Sequence, residues 1–195
     1  MRIIAGTYRG RPLVAPKGQS TRPTADRVRQ ALFDVLEHAP WSGGLKGRRV
    51  MDLFAGSGAL GLEALSRGAA FCLFVETDEA ARGAIRGNIE GLAPDGGLFG
   101  ATRLHRRDAT DLGMRPASDG VPFDLAFLDP PYGLGLGERA LAGLAGGGWL
   151  AAGAIAVLER GAADMSAPTP GFEELDTRAW AAARVSFLRW SPSAG

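Results

Sequence analysis

The segment Val50–Gly61 constrains the fold of this chain more than any other. Its first five residues are mostly apolar and predict a short strand, and Leu60 begins the apolar spacing of a helix. Gly56 and Gly58 lie in the turn between them, where the lack of a side chain lets a ligand approach the backbone closely. A strand, a glycine-rich turn and a helix in this order predict an open α/β sheet with a ligand at the carboxyl ends of its strands.

The glycine spacing leaves two kinds of ligand open. Gly56, Gly58 and Gly61 match G-x-G-x-x-G, and Glu76 follows about 20 residues later, which is also the pattern of a dinucleotide site. Asp52, just ahead of the glycines, would repel a pyrophosphate but would attract an ammonium group. The charge therefore favours a ligand with a cationic amino-acid moiety, and hydride transfer with a nicotinamide cofactor remains the alternative.

A second motif, Asp129-Pro130-Pro131-Tyr132, follows the apolar run Phe123–Leu128. The two prolines remove two amide donors and fix φ near about −65°, so the Asp129 carboxylate and the Pro130 carbonyl become acceptors on a stiff turn. Tyr132 offers a face on which a base can stack, worth roughly 1–3 kcal/mol. Acceptors beside a stacking face predict a planar ring that carries an amine. A methyl donor beside such an amine uses both motifs, and S-adenosylmethionine fits them.

At these motifs the chain resembles the class I, Rossmann-like methyltransferases that use S-adenosylmethionine. The resemblance implies that the glycine turn wraps the methionine end, that Glu76 takes the ribose hydroxyls and that Asp108 contacts the adenine amine. It implies that the second motif methylates an exocyclic nitrogen. The implied catalytic residues are Asp129, Pro130, Pro131 and Tyr132. The implied cofactor-binding residues are Asp52, Phe54, Ala55, Gly56, Ser57, Gly58, Leu60, Glu76, Thr77, Asp108, Ala109 and Asp129.

Composition limits the size and setting of the protein. A chain of 195 residues, 46% of them hydrophobic, is long enough for one well-buried core and too short for two. The single cysteine, Cys72, permits no disulfide framework and predicts a reduced cytoplasm. The longest apolar stretch, Trp149–Leu158, is far shorter than the roughly 20 residues that cross a bilayer. His38 and His105 lack neighbours at metal-ligand spacing, so we expect no metal; we also expect a monomer.

The net charge of +1 hides a basic N-terminal quarter. Residues 1–50 contain ten Lys or Arg and three Asp or Glu, a balance that predicts contact with a phosphate backbone. Arg2–Val14 predicts a small hairpin with Pro12 at an edge. Thr24 is the predicted N-cap of a helix that exposes its arginines. The predicted RNA-binding residues are Arg2, Arg9, Arg11, Lys17, Arg22, Arg27 and Arg29.

The opening, RIIAGTYRGRPLVAP followed by RPTADRVRQALFDVL, resembles that of the bacterial 16S rRNA guanine-N2 methyltransferases. The resemblance implies a seven-stranded, mostly parallel sheet with helices on both faces. It implies a basic extension over residues 1–40 that packs on a methyltransferase domain over residues 41–195. It also implies 16S rRNA, in an assembled or assembling small subunit, as the partner.

The last third of the chain carries less information. Trp149–Glu159 and Ala183–Trp190 predict strands, and Gly161–Gly171 predicts a loop. Glu159 should end its strand near the catalytic edge, and Trp180-Ala181 departs from the Tyr-Gly of the family. Asn88 is expected to be a helix-end or surface amide.

Other functions remain open at this stage. A DNA adenine-N6 or protein glutamine methyltransferase would use a similar acceptor motif, often with Asn in place of the acid. A non-catalytic RNA-binding assembly factor that retains the cofactor pocket is the second alternative.

Overall fold

A computed structural model of the protein describes residues 1–16, 23–162, 164, 168–180 and 183–192. Within these ranges the chain forms one seven-stranded sheet with helices packed on it. The strands are β1 Arg49–Leu53, β2 Phe71–Val75, β3 Thr102–His105, β4 Phe123–Leu128, β5 Leu150–Gly161, β6 Phe172–Trp180 and β7 Ala183–Trp190. The helices are α1 Pro23–His38, α2 Ala59–Ser66, α3 Glu79–Leu92 and α4 Leu136–Gly146. No helix in the described ranges is both long enough and apolar enough to span a membrane.

The strand order is β3-β2-β1-β4-β5-β7-β6. Strands β1 to β5 pair in parallel, and β7 runs antiparallel to both β5 and β6. The connections step outward to one side from β1 and to the other side from β4, so the order of the sheet reverses between these two strands. Ligands of open α/β sheets bind beside such a reversal, at the carboxyl ends of the strands. The predicted seven-stranded methyltransferase-type sheet is confirmed.

The core lies on both faces of the sheet. On one face, Phe33 and Leu36 of α1 pack with Phe127 of β4, and all three side chains are buried. On the other face, Leu141 of α4 packs with Trp149, which is fully buried. The helix predicted after Thr24 is thus present, with its apolar side on the sheet. The helix begins at Pro23, so Thr24 lies in its first turn and is not the N-cap.

Two elements were not predicted from the sequence. Helix α4 contains three glycines, which have the lowest helix propensity of any residue except proline, and it forms because its apolar side packs on the sheet. Strand β6 is largely polar and mostly exposed, as expected for a strand at the edge of a sheet. Its nine residues lack the apolar alternation that marks a half-buried strand.

The N-terminal segment 1–14 is a small turn structure that docks on α2. An isolated antiparallel bridge joins Arg2 to Pro12, as the hairpin prediction required. The backbone N–H groups of Ile4 and Ala5 donate to the carboxylate of Glu63, at 2.8 and 3.0 Å, and Glu63 is fully buried. Because α2 follows the glycine-rich turn, the N-terminal segment is fastened to the helix that supports that turn.

Close packing between α2 and β2 requires a glycine at position 61. A Cβ at Gly61 would lie 2.4 Å from the Phe74 ring and 2.5 Å from the Cys72 sulfur. We expect Gly61→Ala to lower the free energy of unfolding by about 1–3 kcal/mol, because the core must shift to admit the methyl group. Urea unfolding followed by circular dichroism measures this.

Gly87 in α3 is the matched control, because a Cβ there meets nothing within 4 Å. Gly87→Ala should leave stability unchanged or raise it by up to about 1 kcal/mol through helix propensity. Equal stability of the two variants would contradict the packing argument.

Candidate active site

The carboxyl ends of β1, β2 and β4 bring three acidic residues together. Asp52 lies in β1, Glu76 directly follows β2, and Asp129 directly follows β4. Leu53 of β1 is the register partner of both Val75 and Leu128, so Glu76 and Asp129 follow on the two sides of the end of β1, near Asp52. The Asp129 motif and the glycine-rich turn, separated by about 70 residues in the sequence, therefore begin side by side at the sheet edge.

The glycine-rich turn adopts a backbone that most residues avoid. Gly56 and Gly58 have φ of 54° and 76°, and Phe54 has φ of 58° although it carries a side chain. Glu76 fastens the turn, because its carboxylate accepts the Gly56 N–H at 2.8 Å. The other Glu76 oxygen accepts the Asp78 N–H at 2.9 Å, just before α3.

Asp52 is the most buried of these three acids. It is 2% exposed and accepts the N–H of Gly61 at 2.9 Å. Burial raises the pKa of Asp52 to about 8; the Gly61 hydrogen bond opposes this rise, and the charges of Asp129 and Glu76 add to it. A buried carboxyl in this state is stabilised by a nearby cation, since a positive charge favours its ionised form.

Asn88 is buried and joins the glycine-rich turn to the N-terminal segment. The side chain is 3% exposed and accepts the Val14 N–H at 2.7 Å. Its amide nitrogen donates to the carbonyls of Val14 and Ser57, each at 2.9 Å. The expectation of a helix-end or surface amide was wrong. A polar residue in the middle of α3, spaced to face the core, is the signal that could have revealed it.

The remaining predicted cofactor residues lie around the same edge. Asp108 is exposed beyond β3 and accepts hydrogen bonds from the backbone and the hydroxyl of Thr110, both at 2.8 Å. These bonds lower the pKa of Asp108, the backbone bond most strongly. Ala109 is buried, Thr77 is exposed and Leu60 is half-buried. The cofactor-binding residues that the family resemblance implies therefore lie along the ends of β1, β2, β3 and β4.

Asp129 lies beside a second carboxylate, Glu159. Partial loss of contact with water and the negative charge of Glu159 together raise the pKa of Asp129 to about 7. Asp129 still keeps contact with solvent, as a group that meets an incoming base must. Leu128 of β4 and Leu158 of β5 are register partners in the parallel sheet. Asp129 follows Leu128 and Glu159 follows Leu158, so the two acids occupy equivalent positions on neighbouring strands.

Tyr132 is held in place by its hydroxyl and by its ring. The hydroxyl donates a hydrogen bond to Glu159. A Cβ built on Gly161 would lie 3.3 Å from the Tyr132 ring, so the missing side chain there gives the ring its room. Tyr132 remains 47% exposed, so part of it is accessible to a base that could stack on it. Burial, followed by the bond to Glu159, raises the pKa of Tyr132, so the phenol keeps its proton and donates.

A cavity of about 180 Å³ adjoins this motif. Its walls include Pro130, Tyr132 and Leu158 together with several charged side chains. The charged members are Glu138, Glu159, Arg160 and Asp164. The cavity therefore has an aromatic wall and an excess of acceptors, which suits a flat ring that carries hydrogen-bond donors.

The predicted RNA-binding residues divide into three groups. Arg2, Arg9, Arg11 and Arg27 are exposed. Lys17 and Arg22 lie outside the described residues. The expectation for Arg29 was wrong, since it is 5% exposed and bonds to the Arg2 carbonyl and to Asp26. Its guanidinium Nε lies 3.9 Å from Glu63, so buried acceptors, instead of phosphates, hold this arginine.

His105 is half-buried and lies beside an acidic side chain. Its Nε2 lies 3.5 Å from Asp119, and burial lowers its pKa. Within the part of the chain that the structure describes, no group of three or more His, Cys, Asp or Glu residues is arranged to hold a metal ion.

Comparison with known proteins points to one family. A family model described as "Conserved hypothetical protein 95" matches residues 1–189. The protein named Ribosomal RNA small subunit methyltransferase D of Escherichia coli is 40% identical over 159 residues, 82% of this chain and 74% of the relative. The protein of the same name from Haemophilus influenzae is 35% identical and covers 82% of this chain and 78% of its own length. A solved Escherichia coli structure named as a methyltransferase, yhhF, superposes with a TM-score of 0.81, 31% identity and 99% coverage of each chain.

The contacts of Asn88 predict the effect of removing it. We expect Asn88→Ala to lower the free energy of unfolding by about 1–3 kcal/mol, because the polar groups of Val14 and Ser57 lose their partner. Amide hydrogen exchange at Val14 should become faster, and mass spectrometry of the N-terminal peptide measures it.

Thr102→Ala is the control for this change, because it removes a hydroxyl that donates to the Leu98 carbonyl, near β3 and away from Val14. Exchange at Val14 should be normal in that variant. Unchanged exchange at Val14 in Asn88→Ala would contradict the assigned role of Asn88.

The raised pKa of Asp52 predicts how stability depends on pH. The folded protein binds the Asp52 proton up to about pH 8, whereas the unfolded chain releases it near the ordinary value of 3.8. The free energy of unfolding should therefore fall as pH rises from about 5 to about 8, by roughly 1 kcal/mol or more. Urea unfolding without added ligand at several pH values measures this.

Asp52→Asn keeps an oxygen that can accept the Gly61 N–H but has no proton to release in this range. Its stability should fall less steeply over the same pH range. The same slope in both proteins would show that Asp52 does not carry the effect.

Proposed function

We propose that this chain, which belongs to the family of bacterial 16S rRNA guanine-N2 methyltransferases, transfers a methyl group from S-adenosylmethionine to the exocyclic N2 amine of a guanine in 16S rRNA. The observation that carries the proposal is the position of Asp129 directly after β4, beside the end of β1 where the glycine-rich turn begins, at the reversal of the sheet. The small ribosomal subunit, assembled or assembling, is the proposed setting.

The donor set at the edge of the sheet fits S-adenosylmethionine. Asp52 offers a buried carboxylate to the ammonium of the methionine end, and the Gly56–Gly58 turn offers backbone close to it. Glu76 is fixed by the Gly56 and Asp78 N–H groups, and each of its oxygens retains a further lone pair for a ribose hydroxyl. Asp108 projects from the next strand end toward solvent, as a partner for an adenine amine would. When bound, S-adenosylmethionine supplies an activated methyl group.

The protein contributes position more than basicity. Orientation of the reacting groups can supply about 7–11 kcal/mol of the barrier. Asp129 accepts a hydrogen bond from the amine, which localises the nitrogen lone pair and stabilises the positive charge that develops on the nitrogen. Pro130 and Pro131 keep the acceptors rigid, and Tyr132 stacks on the base.

The exposed arginines of the N-terminal segment support an RNA substrate. Arg2, Arg9 and Arg11 are displayed on a segment that Glu63 and Asn88 fasten to the active-site half of the molecule. Positive side chains on a segment that is bonded to α2 and α3, next to the glycine-rich turn, can meet the phosphates that flank a target nucleotide. The extension over residues 1–40 is therefore proposed as an RNA-gripping part of one structural unit.

Product identification tests the proposal. The protein is incubated with S-adenosylmethionine labelled in its methyl group and with small subunits that lack the modification, and the labelled nucleoside is then identified. Label in N2-methylguanosine supports the proposal. Label in DNA adenine or in protein glutamine, offered in parallel, supports the alternative methyltransferases. No transfer to any acceptor, together with no cofactor binding by calorimetry, supports a non-catalytic assembly factor.

Substitution of Asp129 separates chemistry from cofactor binding. We expect Asp129→Ala to lower turnover by roughly 10²–10³-fold, the loss typical when a single preorganised electrostatic contact is removed. The affinity for the cofactor should stay close to that of the unchanged protein, because the turn that holds its methionine end is intact. Single-turnover methylation and calorimetry measure the two quantities.

The exposed arginine Arg178, in β6 at the far edge of the sheet, provides a control position. Arg178→Ala should retain turnover. Full turnover in Asp129→Ala would refute the assignment of Asp129.

A further inference from the structure

We propose that Glu159 selects guanine by accepting a hydrogen bond from N1–H of the target base, beside Asp129, which accepts from the N2 amine. The inference rests on the proposed function and identifies the residue that reads the base at the same site. It concerns N1–H of the base, for which the Asp129 motif alone supplies no assigned acceptor.

The sheet places the two carboxylates side by side. Leu128 and Leu158 are paired in the parallel ladder of β4 and β5, so Asp129 and Glu159 follow at equivalent positions on neighbouring strands. Neighbouring strands are about 4.8 Å apart. The adjacent donors N1–H and N2–H of guanine are closer together than this, so two carboxylates that lean toward each other from neighbouring strands can converge on one edge.

Tyr132 fixes the orientation of Glu159. Its hydroxyl donates to Glu159 Oε1, and this contact directs the carboxylate toward the aromatic wall of the cavity. A carboxylate has about four lone-pair sites, so Glu159 can accept a further bond while it holds Tyr132. A base stacked on the Tyr132 ring would present its edge to the group that the Tyr132 hydroxyl contacts.

The other charged residues of the cavity have different partners. Asp164 accepts the backbone N–H groups of Gly133 at 3.2 Å and Gly161 at 3.1 Å. Glu138 accepts from Arg160 at 2.8 Å, and Arg160 also donates to Ser186. Glu159, by contrast, lies next to Asp129 along the edge of the sheet.

Two adjacent acceptors match guanine among the four bases. Guanine presents N1–H and the N2 amine side by side, and both are donors. Adenine and cytosine place an unprotonated ring nitrogen, an acceptor, next to their amine, and a carboxylate facing it would be repelled. Uracil has no exocyclic amine. A site that pairs with a polar group rejects an analogue lacking that group, because a desolvated acceptor is left unpaired.

The test uses 2-aminopurine, which keeps the N2 amine but has an unprotonated N1. Small subunits are reconstituted around 16S rRNA that carries guanine or 2-aminopurine at the methylated position, and kcat/KM for methyl transfer is measured on both. We expect the unchanged protein to prefer guanine by about tenfold to a hundredfold. Equal use of the two bases would overturn the proposal without any variant.

Glu159→Gln supplies the second readout. The glutamine oxygen can still accept from Tyr132, but its NH₂ group donates, so it would oppose N1–H of guanine and suit N1 of 2-aminopurine. We expect the preference for guanine to fall at least about tenfold. A preference equal to that of the unchanged protein, in a variant whose circular dichroism and melting are normal, would overturn the proposal.

Two matched variants distinguish base reading from general damage to the cavity. Asp164→Asn changes a carboxylate of the same cavity, and Tyr132→Phe removes the hydroxyl that holds Glu159 while keeping the ring. Asp164→Asn should preserve the ratio between the two bases, whatever its effect on the absolute rate. A fall in the ratio as large as that of Glu159→Gln would assign the effect to the cavity as a whole and overturn the proposal.

The Tyr132→Phe variant should lower the ratio less than Glu159→Gln does, since the acceptor remains but is less well oriented. A larger fall than in Glu159→Gln would assign base selection to Tyr132 and overturn the proposal. Failure of the unchanged protein to label guanine in any subunit would refute the proposed function itself, which keeps the two failures apart.

Discussion

Parallel pairing of β1, β2, β4 and β5 is the constraint on which the rest of the molecule depends. Parallel strands end at the same edge, so the acids that lie at or follow their ends, Asp52, Glu76, Asp129 and Glu159, are collected there although the sequence separates them. Burial, with a smaller contribution from the charges of Asp129 and Glu76, raises the pKa of Asp52 to about 8. A site assembled in this way favours cationic and hydrogen-donating ligands, because these relieve the repulsion.

The N-terminal segment is held by hydrogen bonds to the helices that support this edge of the sheet. Glu63 accepts two backbone N–H groups of the segment, and Asn88 accepts the N–H of Val14. Arg29 of α1 donates to the Arg2 carbonyl. Glu63 and Asn88 also support α2 and the glycine-rich turn, so the same buried polar groups hold both parts. Burying these groups is tolerated because partners in the second segment satisfy them.

Several parts of the fold could be read from residue patterns. The apolar runs of β4 and β7 have the predicted bounds, because each strand is packed on both faces or ends at a residue that breaks it. Helix α4 and strand β6 could not be read, since their formation depends on packing and on edge pairing that composition does not encode. Arg29 was misjudged for a related reason: its charge suggested exposure, and only the fold supplied Asp26, Glu63 and the Arg2 carbonyl as partners.

The sequence alone determined the order of the motifs and the chemistry of each one: a glycine turn that permits close approach, acids after buried strands, and an acceptor motif stiffened by two prolines. These properties are local, because they follow from the side chain and backbone freedom of single residues. The tertiary structure alone decided which distant groups meet. Glu159 stands beside Asp129, and Asn88 bridges Ser57 and Val14, because strand register and helix packing bring together residues that are 30 or more positions apart.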